Sequence, residues 1–228
     1  MTFSLTAACQ IESPVTVRDL GRVDQPRRQI LTEAMALADE RGLAALSMRA
    51  VAERLGLSSM ALYPYVGSKD GLLDGLVELF VIELLPAATA VEGDWRARIR
   101  GMARALRAHA HAHPAVYALF MQRPSNAPGV ARLRERIYAA LLEAGVPEAR
   151  VPRLERMLST FVLGFVAAEL DGRFANRHPD RLPPEERDTL AAHARLAPWL
   201  AAPVDWDAEF DANLDDVIHL IERGVAGA

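Results

Sequence analysis

The sequence predicts an all-α protein, and three observations carry that reading: helix formers dominate, apolar residues recur at three- and four-residue steps, and β-branched runs are scarce. With 51% apolar and 25% charged residues in a chain of 228, the composition is globular. The length suits a small module followed by a larger one. The expected architecture is an amino-terminal three-helix unit followed by a larger helical domain, about nine to ten helices in all.

Each element has a local reason. Residues 1–23 lack a helical period and carry Ser, Thr, Pro14 and Gly21, so they are expected to form a flexible arm. Pro26 suits the first turn of a helix over about 25–41, where Ile30, Leu31, Ala34, Met35, Leu37 and Ala38 form one face until Gly42 stops it. Ser47 is placed to cap a second helix, about 48–55, with Met48, Val51, Ala52 and Leu55 apolar and Gly56 at its end. Ser58 is expected to cap a third, very short helix beginning with Ala61, Leu62 and Tyr63. Ser68 opens a fourth that carries Leu72, Leu73, Leu76, Val77, Leu79 and Phe80 towards Pro86.

Periodic segments follow at about 94–112, 114–122, 127–144, 148–171, 184–196 and 207–224. Their joints are His113-Pro114, Pro124-Ser125-Asn126, Gly145-Val146-Pro147 and Pro183-Pro184. The stretch 172–183, with Gly172, Asn176, Pro179 and Pro183, is expected to be a mobile loop. The organisation expected is thus an arm at 1–23, a small helical unit at 24–70 and a larger helical domain at 71–228.

Several classes are set aside. The apolar run Phe161–Leu170 is too short to span a bilayer, which needs ~20 residues, and no secretory leader opens the chain, so a soluble cytoplasmic protein is expected. Cys9 is the only cysteine, which rules out an internal disulfide and a thiolate zinc cage. The net charge of −4 argues against indiscriminate coating of nucleic acid while leaving room for a local basic face. No nucleophile and base in a motif and no glycine-rich phosphate loop is present, so no enzyme is expected. His109 and His113 fall at i and i+4 on one helix face, but His111 points elsewhere and no neatly spaced carboxylate joins them. No metal or other cofactor is assigned.

The functional signal lies in residues 48–66. Two short helices about the tight turn at Gly56 match the helix-turn-helix plan, in which the second helix enters the major groove. Leu62 and Val66 are expected inside, with Ser58, Ser59, Met60, Tyr63 and Tyr65 on or around the other side. Hydroxyls suit phosphates and base edges, and Met suits a thymine methyl. Arg49 can meet a guanine or a phosphate bidentately. Lys69, the single lysine of the chain, stands at a helix amino terminus, where free amides and the dipole already favour a phosphate.

The run Arg27–Phe80 resembles the DNA-binding domain of the TetR family. The resemblance is carried by Glu40-Arg41-Gly42, Ser47 before Arg49, Ala52-Glu53-Arg54-Leu55-Gly56-Leu57, Leu62-Tyr63, and Ser68-Lys69 leading into Leu72-Leu73. It implies base reading by Ser58, Ser59 and Met60, a base or backbone contact by Arg49, and phosphate contacts by Tyr63, Tyr65 and Lys69. Pro64 departs from the family pattern: it lacks an amide donor and is expected to push Tyr63 out of the helical region, ending or kinking the recognition helix.

Beyond residue 80, His113-Pro114, Gln122-Arg123-Pro124, Leu141-Leu142-Glu143-Ala144-Gly145 and Phe161-Val162-Leu163-Gly164-Phe165 are similar to the effector domain of the tetracycline-repressor branch. The resemblance implies a homodimer seam from helices at about 148–171 and 207–224. It also implies that Leu119 and Ala168 stand where that branch chelates its drug through magnesium, with Leu85 and Met102 at two further polar drug contacts. Alkyl groups there cannot ligate a hard cation, so an apolar or aromatic effector is expected. Met102, Leu106, Val116, Leu119, Phe120, Ile137, Phe161 and Phe165 are the expected lining. The functional expectation is a regulator, a repressor released from double-stranded operator DNA by that effector. The alternative is a dimeric helical ligand-binding protein that has lost DNA binding, with Pro64 as its motive.

Overall fold

The structure, a computed structural model, describes residues 25–123, 127–173, 183 and 189–226. The arm expected at 1–23 and residues 174–182 of the expected loop lie outside them. Ten α-helices and no strand occur among the described residues, in the order α1 Gln25–Arg41, α2 Met48–Leu55, α3 Tyr63–Val66, α4 Lys69–Thr89, α5 Trp95–Ala112, α6 Pro114–Gln122, α7 Pro128–Glu143, α8 Val151–Leu170, α9 Ala191–Leu200 and α10 Trp206–Ala226. Short 3-10 turns occupy Leu43–Ala45, Ser59–Leu62 and Glu148–Arg150.

The head is α1, α2 and α3 seated on the first half of α4. Its core is the face read from the sequence: Ile30, Leu31, Ala34 and Met35 of α1 close on Val51 and Ala52 of α2, with Leu62 and Val66 completing the seal. Ser47 accepts from the Ala50 amide at 3.1 Å to start α2. Gly56 ends it in the left-handed region at φ 67°, where a side chain would be strained. Arg54 then fixes the angle between helices, donating to Glu33 and to both carboxylate oxygens of Glu40 on α1. At the head's other edge Gly71 allows α4 to pass under α3, since a Cβ there would stand 2.1 Å from the Val66 carbonyl oxygen.

Pro64 acts otherwise than expected. Tyr63 keeps right-handed helical angles, φ −56° and ψ −38°, and Pro64 occupies the first turn of α3, where a missing amide costs little. The recognition segment therefore changes pitch, a 3-10 turn over Ser59–Leu62 passing directly into α3. The Ser58 hydroxyl makes no capping hydrogen bond either, in contrast to the cap expected there.

α4 crosses from head to body, packing on α1 at one end and on α5, α6 and α7 along the rest. The body is a bundle whose last helix is pinned by charge. Arg96, Arg100, Arg104 and Arg107 of α5 pair with Glu222, Asp215, Asp211 and Asp207 of α10, an order that sets the two helices antiparallel. α9 contributes no buried residue, and Leu196, Trp199 and Leu200 stay exposed on it. Residues 184–188 of the segment expected over 184–196 lie outside the described residues, and α9 runs past 196 to Leu200 with Pro198 inside.

Candidate DNA interface and effector cavity

The polar side chains after Gly56 emerge from the head on the side away from its core. Leu62 and Val66 are buried while Met60 is 72% exposed, Tyr63 43% and Tyr65 38%. Ser58 is exposed and Ser59 half-buried beside Met60. An exposed methionine and two exposed tyrosines, together on a surface with nothing apolar covering them, form a patch suited to a groove or a partner.

Cations flank this patch in different states. The Arg49 side chain is exposed and donates to Glu53 at 2.8 Å, so a DNA contact by its guanidinium would exchange an internal pair for a phosphate or base. Lys69 is exposed at the amino terminus of α4, with no acidic partner among the described residues. The adjacent Ser68 hydroxyl accepts from the Gly71 amide at 3.0 Å, ordering the turn that carries Lys69. Asp70 and Asp74, which would repel a phosphate beside Lys69, are both taken by Arg123 at 2.7 and 2.6 Å. That neutralisation joins residues about fifty positions apart, so no spacing in the sequence signals it.

The body holds a cavity of about 210 Å³ walled by α4, α5, α6, α7 and α8. Of the residues expected to line it, Met102, Leu106, Phe120 and Ile137 do so. Val116, Leu119, Phe161 and Phe165 do not: Val116 and Leu119 are buried in the bundle, and Phe161 and Phe165 pack on Phe210 of α10 with ring centroids 6.2 and 5.2 Å away. For Phe161 and Phe165 the apolar period signals cover, and α10 supplies it on that face of α8. Val81, Leu84, Ala88, Ile99, Ala103, Val130, Leu133, Leu158, Val162 and Leu163 complete the apolar wall.

One corner of the cavity is polar, which the sequence did not suggest. Glu155 is only 8% exposed, accepts from the Ser159 hydroxyl at 2.9 Å, and lies 3.8 Å from Arg134. A carboxylate held this loosely retains acceptor capacity toward the cavity.

Around the joint between head and body, His113 donates through Nδ1 to Asp39 of α1 at 2.7 Å, and His109 donates through Nε2 to the Phe80 carbonyl at 3.0 Å. Burial against Phe80, then the neighbouring His113, lowers the His109 pKa. His111 turns away to Glu169, as its position in the helix predicts.

The family model for bacterial regulatory proteins of the tetR family matches residues 30–76, and the model for the tetracyclin repressor-like C-terminal domain matches residues 86–223. The chain belongs to the TetR family. An HTH-type transcriptional regulator of Saccharopolyspora erythraea is 34% identical over 193 residues, covering 80% of this chain and 78% of that protein. The class A tetracycline repressor from transposon 1721 of Escherichia coli is 28% identical, with 86% and 88% of the two chains covered. ActR of Streptomyces coelicolor, solved in complex with (S)-DNPA, superposes with a TM-score of 0.68 at 25% identity over 87% of this chain and 98% of that one. This TetR-family chain is therefore a DNA-binding transcriptional regulator with a helix-turn-helix head and a ligand-binding carboxy-terminal domain. No helix among its described residues is long and apolar enough to cross a membrane.

Proposed function

We propose that a cytoplasmic homodimer of this regulator represses transcription by gripping an operator through Arg49, Ser58, Ser59, Met60, Tyr63, Tyr65 and Lys69, and lets go when a largely apolar molecule enters the cavity. Residues 24–70 supply the DNA-binding unit and 71–228 the ligand-binding and dimerisation domain. The observation that carries the reading is the course of α4. The helix bears Lys69 at its first residue and Val81, Leu84 and Ala88 in the cavity wall. Lys69 and Val81 are ~18 Å apart along the axis of one rigid rod, so a wall pushed outward by ligand moves the phosphate anchor.

Two heads must meet successive major grooves, ~34–36 Å apart for half-sites one turn apart. The seam is proposed on α8 and α10, where Arg153, Arg156, Thr160 and Gly164 form an exposed stripe and a Cβ on Gly164 would touch nothing within 4 Å. The effector is proposed to be an apolar or aromatic body with one hydrogen-bonding group. The body would rest on Met102, Leu106, Phe120 and Ile137, and the polar group would meet Glu155, Ser159 and Arg134. An effector that prefers the displaced heads 100-fold supplies about 2.7 kcal/mol towards release, and linkage makes DNA weaken the effector by the same factor.

The test is a mobility-shift titration against a palindrome from the gene's own upstream region, with and without candidate aromatic effectors. Salt-dependent affinity that effector abolishes is expected. Operator affinity no different from that for random DNA would overturn the reading.

A further inference from the structure

The histidine pair that the sequence left without a third ligand acquires one in the fold. Glu83 of α4 comes against His109 of α5 and His113 at its carboxy-terminal cap, with one donor atom from each lying within 4.8 Å of the other two. All three are half-buried, so a hydrated ion can reach them.

The hydrogen bonds around the histidines are those of a metal site's outer shell. A ligating histidine ordinarily donates its other ring N–H to a carboxylate or a backbone carbonyl, which fixes the tautomer and raises the basicity of the remaining nitrogen. His113 gives its Nδ1 proton to Asp39, and His109 gives its Nε2 proton to the Phe80 carbonyl. That leaves Nε2 of His113 and Nδ1 of His109 as lone-pair donors. The two rings stand edge to face at 4.8 Å between centroids, one helical turn apart.

We propose that Glu83, His109 and His113 form a binding site for a divalent ion of the zinc class at the joint between head and body. Two imidazoles and a carboxylate match zinc, with a fourth position for water; calcium and magnesium prefer all-oxygen shells. Tetrahedral bonds of ~2.1 Å need donors about 3.4 Å apart, so the three side chains draw together on binding. The site is separate from the effector cavity, none of whose lining residues it uses. Through Asp39 it reaches α1, so the ion ties α1, α4 and α5 together at the joint.

The experiment is zinc titration by calorimetry on untagged, chelator-treated full-length protein, with cobalt absorption as a second readout. One ion per chain with the visible bands of a four- or five-coordinate cobalt site is expected. His109→Ala and His113→Ala each lose that binding. Glu83→Gln and Asp39→Asn weaken it at least tenfold, and His111→Ala leaves it unchanged. Zinc is also expected to raise the melting temperature of the wild type and not of His109→Ala, a comparison that each folded variant reports on itself. Absence of binding by the wild type, or binding that survives loss of both His109 and His113, overturns the proposal.

Discussion

A single lysine in an arginine-rich chain stands at the one place where a point charge has most to add. At Lys69 an ammonium, the amino terminus of α4 and the quenching of Asp70 and Asp74 by Arg123 all favour a phosphate at the same spot. Lys69→Ala is therefore expected to weaken binding to all DNA sequences alike and to reduce the slope of log affinity against log salt by about 0.9, the share of one phosphate. Fluorescence anisotropy over a salt series measures both, and an unchanged slope would separate Lys69 from the backbone. Ser59 and Met60 are proposed to read bases instead, so their substitution should alter discrimination between operators more than the slope.

Between elements, the polar link around Arg107 joins three helices. Its guanidinium clasps both oxygens of Glu169 on α8 at 2.9 and 2.6 Å, reaches Asp207 on α10, and lies over the Phe210 ring. With Arg107 only 16% and Glu169 10% exposed, removing the arginine leaves a nearly buried carboxylate with His111 as its remaining partner. Arg107→Ala is expected to cost roughly 3 kcal/mol in urea unfolding. The hydrogen bonds from Arg107 hold the Glu169 pKa below its ordinary 4.5. A carboxyl lowered in the folded state adds stability that is complete above pH 4.5 and is lost as pH falls through the folded pKa. Glu169→Gln should thus flatten the acid limb of the stability profile below pH 4.5 while leaving its shape near neutrality. The α5–α10 ladder further along is more exposed, and its pairs add little individually. Its effect is to select the register of α10.

For the whole molecule, the proposed coupling runs along α4, which packs on the head at one end and lines the cavity further on. Filling the cavity should separate the two activities: Met102→Trp is expected to keep operator affinity and abolish its release by effector, read by mobility shift. The seam is tested by Gly164→Glu, which places a charge on the open stripe of α8. A monomer in sedimentation, with operator affinity lost because two heads no longer bind together, is the expected outcome. A variant that stays dimeric would move the seam elsewhere.

Most of the helices, the layout of the head and the family are legible in the chain, the recognition segment and the end of α9 being the exceptions. Those features rest on neighbours in the chain: the apolar period of α1, the Ser47 and Ser68 caps, the Gly56 stop, and the inward Leu62 and Val66 against outward Tyr63 and Tyr65. The effector cavity was only half legible, because apolar periodicity says that Phe161 and Phe165 are covered but not by what; α10 takes them before a ligand can. Tertiary structure alone decided the polar corner at Glu155, the pairing of Arg123 with Asp70 and Asp74, and the arrival of Glu83 beside His109 and His113. Each joins residues from separate helices, and the period along one helix carries no record of which other helix packs on it.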